Sequence, residues 1–290
     1  MPKVNVINLK RRLVRRNKTA KGFAIPPKQP EPRAIERQYE ASLKAYVARL
    51  NELIRKILIP QLPDLERQAY HTVPDTAVQR ADSMPAEYVK LISRVKIQLS
   101  SQYTQPELDR IIAKASGATA EFSKAAFKKQ MKRVTGLDLF TSEPWLGNSL
   151  GSFMVKNQDL IKSVADDQIK KVNQIVLNGF QNGLRHEAIA EILDEKLDLA
   201  EGRASAIARD QVSKLNSELT RLRQSELGIK RYIWSTSLDE RVRDSHRANE
   251  GKVFSWDDPP AETGHPGEDI NCRCVALPVV EDLLEFENAV

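Results

Sequence analysis

The 290 residues are enough for one large or two ordinary domains, but an apolar share of 41% and aromatics at 6% do not guarantee a single compact core. Helix formers (Ala, Leu, Lys, Glu, Gln, Arg) dominate, which argues against a β-sandwich or barrel and for an extended helical chain with a small mixed module. The net charge of +6 is segregated: residues 1–22 carry eight basic side chains and no acid, which leaves −2 on the remainder.

A basic arm on a near-neutral body suggests an anionic partner, with double-stranded DNA the first candidate and Lys10, Arg11, Arg12, Arg15, Arg16, Lys18 and Lys21 as its contacts. The plainer alternative is a solubilising tail. No apolar run approaches 18 residues, so no membrane-spanning helix is expected, and the start lacks the apolar core of a signal peptide. Two cysteines one residue apart do not make a secreted disulfide framework. The expectation is a protein made in a reducing cytoplasm and kept there or in a particle assembled there.

In chain order, residues 1–33 read as a basic arm followed by a stiff linker, because Pro26, Pro27, Pro30 and Pro32 break any regular element; Val4, Val6, Ile7 and Leu9 suit a short strand or a docking segment. A helical region follows over 34–150. Ile35, Tyr39, Leu43, Tyr46, Leu50, Leu53 and Ile57 step by three and four and predict a long helix, stopped by Pro60 and Pro63. Residues 64–84 read as a loop with short helical turns, and Pro85 opens the next helix. A break at Gln105-Pro106 leads to further helix, interrupted at Gly117 and ended at Gly136. Lys124, Lys128, Lys129, Lys132 and Arg133 make a basic face there, read as solvated in preference to a DNA contact. Pro144, Gly147 and Gly151 mark residues 137–153 as a linker and the main domain boundary.

Residues 151–228 read as three helices, the last with a stripe at Ala208, Val212, Leu215, Leu219 and Leu222 that ends at Gly228. Only then does the period change. Strands are expected at 229–236, 252–256 and 272–280 within an α+β module over 229–280, and an acidic tail covers 281–290. The expected fold is thus mainly α with a C-terminal α+β module.

That module holds both cysteines and two of the four histidines. On a strand, Cys272 and Cys274 would present two sulfurs to one face. Two thiolates with His246 and His265 make a tetrahedral zinc set, and a small three-stranded region has a use for the folding energy of a metal. Asp244 and Asp269 read first as turn and capping residues, with orientation of the nearby imidazoles as the alternative. The competing reading has the cysteines as small buried hydrophobes and the histidines as hydrogen-bonded loop residues. No nuclease motif is complete, and four filled positions would make zinc structural instead of catalytic.

Several spaced motifs then resemble the C-terminal domain of the Mu F-like head morphogenesis proteins of tailed bacteriophages: Trp234 and Thr236; Asp239-Glu240-Arg241-Val242-Arg243 with His246; Gly251 and Val253; Pro266-Gly267; and Cys272-Arg273-Cys274. Upstream, Arg203-Ala204, Ile207-Ala208-Arg209 and the segment 157–183 match as well, so the resemblance covers about residues 155–278. It implies a structural, non-enzymatic minor head protein acting in head morphogenesis near the portal, the major capsid or scaffold protein, or packaged DNA. The localisation implied is the virion, after synthesis in the bacterial host cytoplasm, with no membrane partner. The suspected metal ligands of the family carry onto His246, His265, Cys272 and Cys274. The rivals are a nucleic-acid-binding protein using the arm, and a metal-dependent nuclease or hydrolase using the His/Cys module.

Overall fold

The computed structural model describes residues 25–70, 86–139, 143–198 and 201–285. The basic arm with its seven expected DNA contacts, the short strand near Val4 and the end of the acidic tail lie outside the described residues. Within them the chain is mostly helical: α1 Arg33–Ile57, α2 Leu62–Tyr70, α3 Ala86–Gln102, α4 Gln105–Thr135, α5 Leu146–Gln181, α6 His186–Asp198 and α7 Glu201–Glu226. A small three-stranded antiparallel sheet follows, built from β1 Arg231–Ser235, β2 Val253–Ser255 and β3 Val275–Pro278 in the order β2-β1-β3, with the short helices α8 Asp244–Arg247 and α9 Asp282–Glu285. The mainly helical class and the C-terminal α+β module are as the sequence pattern implied. Among the described residues no helix is long and apolar enough to cross a membrane.

Three local expectations are corrected. Helix α4 runs unbroken through Gly117. A glycine inside a helix costs only about 1 kcal/mol, and the buried side chains of Ile112, Ala120, Phe127 and Met131 on the same helix outweigh it. Residues 62–70 form one continuous helix in place of the expected loop with short helical turns from residue 64, because Pro63 sits in the first turn, where its missing N–H has no helical partner to lose. The segment 137–153 is no bare linker: Leu137 and Leu139 are buried and α5 begins at Leu146.

The chain divides into two units, neither continuous in sequence. One comprises residues 37–113 and 154–208. Its interior is lined by helix stripes such as Leu43, Leu50 and Ile54 on α1 and Ile169, Val172 and Val176 on α5. Side-chain bonds pin these helices: Tyr39 Oη donates to Asn157 (2.9 Å), Asn51 Nδ2 to the Leu197 carbonyl (2.8 Å), and Tyr88 Oη to Asn173 (2.6 Å).

The other unit comprises residues 1–36, 114–153 and 209–290. Phe127 and Met131 of α4 pack with Leu137, Leu139, Ile229, Val280 and Leu283 in one cluster. Tyr232 and Trp234 of β1, both fully buried, pack with Cys272, Cys274 and Ala276 in a second. Asp282, at the start of α9, accepts the Lys230 and Arg231 backbone N–H groups at 2.9 and 2.8 Å and also binds the Arg231 guanidinium, so the residues after β3 clamp the start of β1.

Candidate metal centre

One face of α7 carries polar residues aimed at the C-terminal loops. Asp210 accepts the Asn271 N–H (2.9 Å), Ser213 Oγ donates to the Cys272 carbonyl (3.1 Å), and Gln224 Nε2 donates to the Ala276 carbonyl (2.9 Å). These positions lie three to fourteen residues apart at helical spacing, beside the buried stripe of Ala208, Val212, Leu215 and Leu219. At Gly267, where φ is +90°, an added Cβ would stand 2.1 Å from Ser217 Oγ, so only glycine lets the loop lie this close to α7. Its N–H then reaches Cys272 Sγ at 3.4 Å.

The structure brings three of the four sequence-predicted ligands together: His246 on α8, and Cys272 and Cys274 in the lead-in to β3, all buried. The cysteines precede the strand, which starts at Val275, and the Cys274 N–H bonds to Cys272 Sγ (3.4 Å) across a local turn. One donor atom from each residue lies within 4.8 Å of the others. His246 Nδ1 stands 3.4 Å from Cys274 Sγ and 3.5 Å from Cys272 Sγ. Zinc bonds of about 2.3 Å to sulfur and 2.0–2.1 Å to nitrogen at tetrahedral angles place bound N and S atoms roughly 3.5 Å apart. The observed separations fit that geometry. The other imidazole nitrogen, Nε2, is 2.8 Å from Asp269 Oδ2, the carboxylate–histidine arrangement that orients metal-bound imidazoles. The cluster can therefore hold a metal ion.

His265 is not in the cluster, which corrects the four-ligand grouping. Tyr232 Oη donates to its Nδ1 (2.9 Å), the Trp256 backbone bonds to the same ring, and the ring packs against both Tyr232 and Trp256, which also touch each other. Burial lowers its pKa and keeps it neutral, as an acceptor from Tyr232 requires. With three protein donors in place of four, the argument that a filled tetrahedron excludes catalysis no longer applies.

The two thiols titrate as a pair. The hydrogen bond from Cys274 is the largest influence drawing Cys272 down to about 6, helped by the N–H groups of Cys274 and Gly267 and by His246; burial opposes it. Cys274 is pushed up, first by that same hydrogen bond and then by burial and the neighbouring charge. The buried Trp234 side chain donates toward the Cys274 sulfur, which favours negative charge there. A cation between the sulfurs would relieve the opposition to a second thiolate.

Sequence reasoning named His246, Cys272 and Cys274, which the structure brings together, and held Asp269 only as an alternative to a turn residue. It missed the polar face of α7, although Asp210, Ser213, Ser217 and Gln224 stand in register beside an apolar stripe.

These features define a His/Cys module braced by a helix, at the end of a mostly helical chain. Residues 170–277 match the family model described as "Phage Mu protein F like protein", and over that stretch the chain is similar to that family. The chain is 40% identical over 161 residues to an uncharacterized protein of Haemophilus influenzae, covering 54% of this chain and 36% of that protein. It is 26% identical over 132 residues to the NAD(+)--arginine ADP-ribosyltransferase EFV of Enterococcus faecalis, covering 41% and 27%. It is 22% identical over 171 residues to the minor head protein GP7 of Bacillus phage SPP1, covering 48% and 55%. The matches thus span between about a quarter and just over half of these relatives. No solved structure gives a significant match.

Proposed function

We propose that this protein is a minor head protein of a tailed bacteriophage, carried in the virion and acting in head morphogenesis without turnover. The observation that carries the reading is the Mu F-like match over residues 170–277, supported by the similarity to a phage minor head protein. In this reading the cluster of His246, Cys272 and Cys274 holds zinc, which fixes the loop before β3 onto α8. The partners are other head components: the portal, the major capsid protein or the scaffold. The similarity to the transferase covers about a quarter of that protein, and this reading does not draw on it.

The test is quantitative mass spectrometry of this chain in purified mature heads and in precursor heads. A few copies per particle are expected, with His246→Ala reducing incorporation in step with loosening of the module. Absence from both particle types overturns the reading. So does metal-dependent cleavage of DNA or RNA that His246→Ala abolishes while the protein stays folded.

The basic arm of residues 1–22 is proposed to touch packaged DNA, on the strength of its eight unopposed charges. Contact with roughly four to eight phosphates would give a slope of about −4 to −7 for log affinity against log salt. Deleting the arm should remove most of this non-specific binding; a truncated chain that binds DNA as well as the parent overturns the assignment.

A further inference from the structure

His246, Cys272 and Cys274 form part of the wall of an open cleft of about 190 Å³, whose charged lining is four arginines, Arg209, Arg241, Arg243 and Arg273, against one carboxylate, Asp239. Asp239 reaches Arg273 only at 4.0 Å, and one of its oxygens is taken by the Arg241 backbone N–H at 3.0 Å. That bond turns the chain so that Arg241 stands exposed at the cleft, and among the described residues its guanidinium has no partner. Arg243 is fixed by Asp269 (3.3 Å) and the Ile270 carbonyl (2.7 Å). Ser237 and Asn271 add neutral polar groups to the wall. From the adjoining hollow, Glu36 interacts with Arg209 and Arg273, but burial, and then Glu31, raise its pKa, so it is a weakened competitor for them.

We propose that this cleft binds the oxyanion of a phosphate group, with Arg241 and Arg273 as its principal grip. Several guanidinium forks around one small cleft suit a tetrahedral, multiply accepting anion; a lone carboxylate is satisfied by a single fork. The volume suits a phosphate with its ester oxygen and some water, and is below the roughly 300 Å³ at which sites for larger ligands begin. The site rests on the guanidiniums and not on the head-assembly reading; since His246, Cys272 and Cys274 share its wall, the arginine dependence is expected both with and without a chelator present.

The experiment is calorimetric titration of the full chain at low ionic strength with inorganic phosphate, with acetate, and with a short DNA duplex. Saturable binding of phosphate at one site is expected, and Arg241→Gln or Arg273→Gln should each weaken it about tenfold, the size of a lost charge-assisted bond. Lys128→Gln, at a lysine paired with Asp138 (2.6 Å) and absent from the cleft wall, should leave it unchanged. Circular dichroism and metal content separate loss of the site from loss of the fold. If Arg241→Gln also weakens duplex binding, the phosphate is that of a nucleic-acid backbone; if only inorganic phosphate responds, it is a free phosphate or small ester. No saturable binding, acetate binding as tight as phosphate, or arginine variants that bind like the parent would each overturn the proposal.

Discussion

Replacing Arg223 by alanine should destabilise the C-terminal unit by about 3–5 kcal/mol, the usual cost of stranding one member of a buried ion pair. Arg223 is 3% exposed on α7. Its Nε donates to Glu143 (2.5 Å), Nη1 to Ser123 Oγ (2.7 Å) and Nη2 to the Ala120 carbonyl (3.3 Å), while Cζ lies 5.8 Å from the centre of the Trp145 ring. Removing the guanidinium leaves the Glu143 carboxylate, only 7% exposed, with Lys124 at 3.7 Å as its remaining cation. Arg223→Met should be nearly as costly, because it restores packing but not charge. Adding Glu143→Leu to Arg223→Met should recover most of the loss, since a hydrophobic replacement of a whole buried pair is often close to neutral. Urea denaturation followed by tryptophan fluorescence measures all three. A cost below about 1 kcal/mol for Arg223→Ala would show that water or Lys124 satisfies Glu143.

This ion pair was not legible in the sequence, and the reason is instructive. Pro144, Gly147 and Gly151 punctuate residues 137–153 as a linker, and local composition is all that a linker assignment uses. Burial of Glu143 depends on an arginine 80 positions later, and no local pattern records it. The long helices were legible because Leu43, Leu50, Val172 and Val212 repeat at the period that their burial enforces. The strands were legible because the period changes after Gly228, a helix-ending glycine with φ +78°. In the candidate site, the cysteine pair announced itself by composition. The choice between two histidines did not: His246 and His265 differ only in what folds around them, a sulfur pair for one and two aromatic rings for the other. Gly117 misled in the opposite direction, since a local breaker has little force inside a helix anchored on both sides by buried residues.

The difference between the two histidines sets up the sharpest test of the site. Protein purified without added metal should carry about one zinc per chain. Cys272→Ser, Cys274→Ser and His246→Ala should each remove it, because three donors are the minimum the cluster offers. Asp269→Asn should keep the metal but weaken its affinity about 10–100-fold, through loss of the carboxylate that holds the imidazole in place. His265→Gln should retain the metal in full, since its ring is held by Tyr232 and the Trp256 backbone and not by the cluster. Acidification should release the ion, because protons compete with it for the ligand sulfurs: the Cys274 hydrogen bond draws Cys272 down, while Cys274 is pushed up and must give its proton up to the metal, so metal affinity should fall steadily as the pH is lowered. Elemental analysis and chelator competition across pH 5–8 read every one of these outcomes. A His265→Gln protein that loses zinc while keeping its fold would restore the four-ligand set. Less than about 0.2 equivalents of any metal in the parent would instead leave a buried thiolate–imidazole pair with Asp269 behind it, and Cys272 would then be tested as a nucleophile by alkylation at neutral pH.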